Sequence, residues 1–467
     1  MATTVFKKAL VADGLTPVSA FSALRGSAAG GAFLLESVVG GERWARYSIL
    51  GYRPQSEIVL RGEAGVDPFK RLEELVGTDE AGESDPATRF ATAHVGLLSF
   101  EMVHFSTKVP HWPEEMQGPI ARLLGQCTVV VFDHLSAQIT IASTAADHVA
   151  ECEEVLRAAP LLDFVAPPDR AALPDDVSVS MSDEEYSAVV ERCREYIFAG
   201  DAFQVVPGRT FSVPTLGTDP FDVYRALRVL SPAPYMYFLD LPQTPDAPAL
   251  AIAGASPETL VRVENGKVYL RPIAGTRRRG HSEEEDEELA REMINDPKEV
   301  AEHVMLIDLA RNDIGRIAAP GTVCVPAQMF VEKYSHVMHI TSEVKGEVAA
   351  GTTPWDVLRA TFPAGTLSGA PKVRAMQIIR ELETRPRGTY GGALGYVARN
   401  GDLDLAIGIR TVVMQNDRFE VTAGAGIVAD SDPRLECKET SNKARAALCA
   451  VHAARQRHLA RSRLANG

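Results

Sequence analysis

Two pairs of glutamates carry the clearest chemical potential in this chain. Glu436 and Glu439 lie three residues apart in a stretch that reads as a helix, and so do Glu299 and Glu302. Residues at that spacing project from one helix face. Oxygen-only donors select Mg²⁺ or Ca²⁺, and magnesium keeps waters and a substrate oxygen in its shell. Brought together, the two pairs could not all ionise without a cation. Ahead of Glu436 and Glu439 come Gly424, Ala425 and Gly426, and Lys443 follows one turn beyond Glu439. Those glycines allow close backbone approach, and their amides can hold an anion. Amides, carboxylates and an ammonium group together suit a metal-bridged carboxylate substrate. The same residues also describe an ordinary surface helix after a glycine turn.

Other residues add acid and anion chemistry. Glu258 ends Gly254-Ala255-Ser256-Pro257-Glu258, between apolar strands. A carboxyl held there is desolvated and its pKa rises, as a general acid requires; a capping role is the alternative. Asp404 to Thr411 reads as a buried strand ending in Arg410, which could grip a carboxylate through two parallel hydrogen bonds. Buried and unpaired it would be costly, so a partner is expected from the protein or from a ligand. The glycine-rich turn from Thr361 to Lys372 opens a helix near Pro371 and suits an anion at a helix N-terminus. It lacks the order of a Walker loop. Alternation puts His336 and His339 on opposite faces of one strand. Phe203–Val206 reads as a buried strand, broken by Pro207-Gly208, and Gln204 in it as a core or edge amide.

The elements that must position these groups have recognisable punctuation. Asp296 reads as an N-cap, with Pro297 at the first helical position and Glu299 at the capping-box position. Capping accounts for Glu299 but not for Glu302. Val300 to Ala310 is apolar almost all round, which predicts burial on several sides. Asp432 and Pro433 open the last helix in the same way, and Ser182 with Glu185 opens a third. Phe33–Ser37 and Arg46–Gly51 read as strands that, paired, bring Glu36, Ser37 and Ser48 near one another, enough for a small ligand's ammonium group, or simply as a hairpin with solvated ends. Val268–Thr276 reads as one strand. Prolines and aspartates between Ala158 and Asp183 mark a linker.

Composition sets limits. A chain of 467 residues predicts more than one domain, and 45% hydrophobic with 24% charged residues describes a soluble globular protein. A net charge of -14 argues against nucleic-acid binding and means an anionic substrate must meet local cations, amides or a metal. Six scattered cysteines without a C-x-x-C pair fit a reducing cytoplasm and no structural zinc. Neither a signal peptide nor a membrane span is expected.

From about residue 180 to the end, several stretches fall into one order: F-Q-V-V (203–206), G-A-S-P-E (254–258), P-I-A-G-T-R (272–277), D-P-K-E-V-A-E-H (296–303), L-A-R-N-D-I-G-R (309–316), F-P-A-G-T-L-S-G-A-P-K (362–372), G-G-A-L-G-Y (391–396), A-I-G-I-R-T (406–411), G-A-G-I-V (424–428) and E-x-x-E-T-x-x-K-A (436–444). This series resembles the chorismate-utilising enzymes, in the branch that makes anthranilate for tryptophan synthesis. The resemblance implies an α+β fold in which antiparallel β-sheets form a sandwich with helices outside. It implies a regulatory domain over 1–165 and a chorismate-binding catalytic domain over 180–467. By resemblance, Glu299, Glu302, Glu436 and Glu439 form a Mg²⁺ site holding the ring carboxylate of chorismate. Arg410, Tyr390 and the amides of Gly424, Ala425 and Gly426 hold the pyruvyl carboxylate, and Lys443, Thr366 and the Ala274-Gly275 backbone complete the pocket. Glu258 protonates the departing C4 hydroxyl as ammonia adds at C2, and His339 assists pyruvate elimination. L-L-E-S (34–37) with R-Y-S (46–48) looks like a tryptophan feedback site, which Glu36, Ser37, Ser231, Pro232, Tyr235 and Met236 would form.

Two positions bear on the nucleophile. Water-delivering members carry lysine where this chain has Gln204, and p-aminobenzoate-pathway members carry lysine where it has Ala274. Both differences favour ammonia as nucleophile and anthranilate as product. A synthase that stops at 2-amino-2-deoxyisochorismate is the alternative, and an amino-acid sensor on a dead synthase fold is a further one. With no G-x-C-x-G turn in the chain, ammonia is expected from a separate glutamine amidotransferase subunit (component II), in a hetero-oligomer, or from solution. Pro207-Gly208-Arg209-Thr210 and Ser231-Pro232-Ala233-Pro234 depart from the family's usual L-S-Q-R and N-P-S-P; the second departure bears on tryptophan inhibition.

Overall fold

The computed structural model describes residues 3–27, 30–37, 46–63, 65–78, 85–160, 162, 165–334 and 337–465; His336 and part of the linker lie outside these. Among the described residues the strands assemble into two large sheets. The first has eleven strands. It runs from Phe6–Val11 through Gln138–Ser143, Thr128–Asp133, Tyr47–Tyr52, Ala32–Glu36, Tyr235–Leu241, Leu250–Ser256, Thr411–Gln415, Arg418–Gly424 and Gly208–Pro214 to Ser178–Val179. The second has ten. Its path runs from Ile273–Arg278 through Val337–Glu347, Lys267–Leu270, Thr259–Glu264, Leu403–Ile407, Ala393–Val397, His94–Leu98 and Pro119–Gly125 to Ser56–Arg61, and Cys324–Lys333 also pairs with Val337–Glu347.

One face of each sheet is apolar, and these faces meet through Phe33, Leu97, Leu124, Tyr237, Ile252 and Leu394. The outer face of the first sheet is covered by helices including Pro220–Leu230 and Pro433–Ala465, with Tyr224, Phe238 and Leu448 in the layer between. The outer face of the second is covered by Pro297–Gly315 and Pro354–Thr361, through Ile307, Ile314, Val261 and Leu358. The arrangement is the expected α+β sandwich with helices outside. Both sheets draw strands from either side of the linker: Leu35 pairs with Tyr237 in the first, and Val95 with Tyr396 in the second. The stretches 1–165 and 180–467 therefore share their cores. Among the described residues no helix is long and apolar enough to cross a membrane.

Local chemistry accounts for most element ends. Ser182 and Glu185 form a reciprocal capping box. Asp432 accepts from the amides of Arg434 and Leu435 at 2.9 and 3.1 Å. Asp296 caps its helix through Lys298 and Glu299, but the Glu299 side chain does not return to the cap; it accepts from Arg277 Nη1 at 2.9 Å instead.

Four local expectations are corrected. The run 268–276 is two strands, Lys267–Leu270 and Ile273–Arg278, because Pro272 cannot donate to the ladder; the register is kept across the gap, Leu270 opposite Val344 and Ile273 opposite Thr341. Helix Pro297–Gly315 buries one stripe, His303, Leu306, Ile307, Ala310, Asp313 and Ile314, while Val304 is exposed. The second sheet and helix Pro354–Thr361 cover that stripe, and helical periodicity turns Val304 to solvent. Phe203 is exposed rather than buried, because only Gln204–Val205 forms a strand, against Gly369–Ala370. The apolar run 404–411 does not stay in one strand, which has consequences for Arg410.

Candidate active site

The chain crosses between the two sheets at two neighbouring places. Leu250–Ser256 belongs to the first sheet and Thr259–Glu264 to the second, so Pro257 and Glu258 lie in the crossing. Leu403–Ile407 belongs to the second and Thr411–Gln415 to the first, so Gly408, Ile409 and Arg410 form the return. The crossings are tied together: the Ile407 amide donates to the Glu258 carbonyl at 3.0 Å, and the Ala255 amide to the Arg410 carbonyl at 3.2 Å. Arg410 has φ 51°, a left-handed conformation that a side chain of this kind holds only under constraint. Strand pairing on both sides supplies that constraint. Its guanidinium has no hydrogen-bond or ion-pair partner among the described residues, and burial lowers its pKa. An unpartnered, partly desolvated guanidinium is prepared for an anion from outside the protein.

Glu258 is half-buried, and protein crowds its carboxyl. Burial raises its pKa to about 7, against the opposing pull of the Thr366 hydroxyl and the Lys443 ammonium. Thr366 Oγ1 donates to Glu258 Oε1 at 3.0 Å. Gly365 permits this approach, since a Cβ there would stand 2.0 Å from the Leu309 side chain. A carboxyl half-protonated near neutral pH has the properties of a general acid.

The two glutamate pairs face a common pair of lysines. Burial first, and then the neighbouring Glu299, raises the pKa of Glu302, opposed by Gln204, Lys298 and Lys443. Burial first, and then Glu439, raises that of Glu436, opposed by Ser431, Lys443 and Lys298. Lys443 Nζ pairs with Glu439 at 2.7 Å and donates to the Gly424 carbonyl at 3.0 Å. Among the described residues no three metal-ligating side chains close into a cluster. The donor set fits a magnesium ion all the same, because that ion is held through one or two carboxylates, retained waters and substrate oxygens. The raised pKa values of Glu302 and Glu436 also reflect an excess of negative charge that a cation would relieve.

Gln204 turns its amide into this group: Nε2 donates to Glu302 Oε1 at 3.3 Å. A Cβ at Gly426 would stand 2.8 Å from the same nitrogen. Ala425 is fully buried, and Gly424 pairs with Gly208. Glycine is required at 424, where a Cβ would meet the Pro207 carbonyl and the Tyr390 hydroxyl, each at 2.6 Å. Gly208, part of the stretch that departs from the family pattern, leaves room for the Tyr390 ring, 3.0 Å from where its Cβ would be.

Ala274 and Gly275 lie on Ile273–Arg278 at a register shift against the strand carrying His339. His339 Nδ1 lies 2.9 Å from the Gly275 carbonyl and 3.1 Å from Thr276 Oγ1. Only a protonated Nδ1 can bond a carbonyl, so Nε2 is the free, basic nitrogen. Burial lowers the His339 pKa, with Arg410 acting in the same direction, which keeps the ring neutral.

One supporting residue escaped sequence reasoning. Arg387 is buried; its Nη1 donates to the Leu367 carbonyl and its Nη2 to the Val206 carbonyl, both at 2.7 Å, and Nε to Glu383 Oε2 at 2.9 Å. Its guanidinium centre lies 4.6 Å from the Phe100 ring and 5.3 Å from the Tyr390 ring. It thus ties the Gln204 strand, the Thr366 turn and Tyr390 together. The i,i+4 spacing of Glu383 and Arg387 was the available signal, obscured by Pro386 between them. Arg387→Met is expected to lower the unfolding free energy by about 3–5 kcal/mol, because it strands a buried carboxylate; urea denaturation measures this, and a second change, Glu383→Leu, should restore much of the loss.

Of the residues expected to form a tryptophan site, Glu36 and Tyr235 turn to different sides of the first sheet. Glu36 pairs with Met236 in the first sheet and turns to the outer helix layer, where Tyr224 Oη donates at 2.6 Å and Arg228 Nε at 3.1 Å. Tyr235 turns inward, to Thr259 Oγ1 at 2.9 Å and Asp404 Oδ1 at 2.8 Å. Ser231 ends helix Pro220–Leu230 just before Pro232, its amide bonded to the Leu227 carbonyl at 2.8 Å. Ser37 follows Glu36 at the strand end.

Sandwich, crossings and acid cleft define the class of molecule. The chain belongs to the chorismate-binding enzyme family, whose sequence model matches residues 32–449. Among its relatives is anthranilate synthase component 1 of Acetivibrio thermocellus, 42% identical over 477 residues that cover 95% of this chain and 94% of that one. The enzyme of the same name from Mycolicibacterium smegmatis is 41% identical, covering 96% and 91%. The crystal structure of anthranilate synthase component I from Streptococcus pneumoniae superposes with a TM-score of 0.75 at 37% identity, covering 94% of this chain and 98% of that one. The menaquinone-specific isochorismate synthase of Escherichia coli shares the fold alone, with a TM-score of 0.71 at 16% identity over 96% and 95%.

Proposed function

We propose that this chain is an anthranilate synthase component that converts chorismate and ammonia to anthranilate and pyruvate. The observation that carries the reading is Glu258, held near pKa 7 in the crossing beside Arg410. Chorismate loses its C4 hydroxyl, and hydroxide leaves only with an acid at hand. Glu258 supplies that proton, and Thr366 fixes which oxygen faces the cleft. Arg410 receives a carboxylate of the substrate, with Tyr390 and the Gly424–Gly426 backbone beside it. Gln204 is an amide, a poor base, and is committed to Glu302; water activation is disfavoured and ammonia favoured. His339 offers neutral Nε2 to take the ring proton when pyruvate leaves, and the Gly275 carbonyl holds its tautomer.

Magnesium would be held by Glu299, Glu302, Glu436 and Glu439, some through water, and would neutralise the substrate's ring carboxylate. Lys298 and Lys443 set how much negative charge remains for it. A glutaminase subunit as the ammonia source, tryptophan as inhibitor and a cytoplasmic location belong to the same reading.

The purified chain, incubated with chorismate, Mg²⁺ and an ammonium salt, should form fluorescent anthranilate and pyruvate, and glutamine should not replace ammonium until a glutaminase subunit is added. An amino-diene product retaining the pyruvyl ether would move the chain to the 2-amino-2-deoxyisochorismate branch. Unconsumed chorismate would overturn the proposal. Arg410→Lys should raise the KM for chorismate roughly tenfold to a hundredfold, the worth of a bidentate charged bond.

A further inference from the structure

A cavity of about 50 Å³ lies behind Glu258. Glu258 and Thr366 form one wall, and Leu306, Leu309, Ala310 and Asp313 of helix Pro297–Gly315 form another. Apart from Glu258 and Thr366, no residue assigned above to substrate or cation lines it. Asp313 is 5% exposed. Its Oδ2 accepts from Lys372 Nζ at 2.8 Å, and its Oδ1 is buried with no partner among the described residues. An unsatisfied buried carboxylate oxygen is costly, and in a polar space water is the usual remedy. A water needs about 10–15 Å³ of such space, so the cavity has room for a few.

We propose that water in this cavity bridges Glu258 to Asp313 Oδ1, and that Asp313 is the relay through which Glu258 regains its proton after each turnover. The inference rests on Glu258 being the acid of the proposed reaction. When the C4–O bond breaks, its electron pair leaves with the oxygen, the Glu258 proton completes a water molecule, and Glu258 is left as carboxylate. Solvent, which receives the proton released as the added ammonia becomes a neutral amine, passes a proton to the Asp313 carboxylate. A cavity water then takes that proton while giving one to Glu258, and Asp313 returns to the carboxylate that Lys372 holds. Burial, against the pull of Lys372 and Arg316, holds the Asp313 pKa above the ordinary carboxylate value; Arg271 is the further charged residue on the cavity wall. Lys372 keeps Asp313 in place and Thr366 keeps Glu258 in place, so both ends of the bridge are fixed.

The test separates relay from scaffold. A step after the irreversible chemistry changes kcat without changing kcat/KM. In stopped flow with excess chorismate, Mg²⁺ and ammonium, Asp313→Asn is expected to release one anthranilate per site at the normal rate, then to turn over about tenfold or more slowly, with kcat/KM kept; Asp313→Glu should recover turnover. If Asp313→Asn does not fold because Lys372 is left buried, Ala310→Leu, which fills the cavity without touching a charge, should give the same split. Equal falls in kcat and kcat/KM without a burst, or no change in either variant, would overturn the relay. Glu258→Gln is the control: it should lose the first turnover too, and if it keeps activity, the reading of Glu258 as the acid fails first.

Discussion

Replacing Glu258 by glutamine is expected to lower kcat for anthranilate formation by about 100-fold to 10,000-fold, the range that general acids supply, with chorismate binding kept. The amide fills the same space and can still accept from Thr366, so only the proton is removed. In the unaltered protein, activity should fall as pH rises through about 7, where Glu258 loses its proton, and that limb should vanish in the variant. The effect on stability has the opposite benefit. The carboxyl ordinarily titrates at 4.5 and in the folded chain at about 7, so the folded state binds more protons across that window and loses stability as pH rises through it. Glu258→Gln should therefore melt higher than the unaltered chain at pH 8 and differ little at pH 4. Anthranilate fluorescence from pH 5 to 9, with melting curves at both ends, measures the two effects on one variant. Near-normal turnover in Glu258→Gln would remove the acid from the mechanism.

The second large effect concerns the carboxylate pairs. Glu302→Gln and Glu436→Gln are each expected to cut turnover by about a thousandfold, since a bound metal supplies several kcal/mol of charge stabilisation, while the fold stays intact. Both carry raised pKa values because buried negative charge is concentrated around them, so neutralising either should relieve repulsion and leave the melting temperature equal or higher. Calorimetric titration of Mg²⁺ in the presence of chorismate should lose its signal in both variants. If either kept magnesium binding and turnover, the cation would be held elsewhere. Lys443, bonded to Glu439 and to the Gly424 carbonyl, links the Gly424–Gly426 backbone to the carboxylates.

Much of the local structure was legible in the chain. The capping box at Ser182 and the caps at Asp296 and Asp432 were read from residues two or three positions apart and are present. The strands read at Phe33–Ser37 and Arg46–Gly51 are present as Ala32–Glu36 and Tyr47–Tyr52, and they pair. Legibility failed where a side chain had two possible partners. Glu299 stood at a capping-box position, but Arg277 claimed its carboxylate. Glu36 looked open to a ligand's ammonium group, but Arg228 and Tyr224, far along the chain, reach it. Arg410 read as a strand end, whereas it occupies a turn between two sheets with a positive φ.

By itself the sequence determined the element types, the helix starts, the family motifs and the chemistry available at each position, because those depend on neighbours within a turn or a pleat. Only the tertiary structure decided which of those groups meet. Thr366 reaches Glu258, in a crossing between the two sheets, across 108 positions, and Gln204 reaches Glu302, on an outer helix, across 98. The raised pKa of Glu258, the unpartnered guanidinium of Arg410 and the cavity shared with Asp313 are likewise properties of packing. They arise when water is excluded and partners from distant segments are supplied or withheld, which no local pattern encodes.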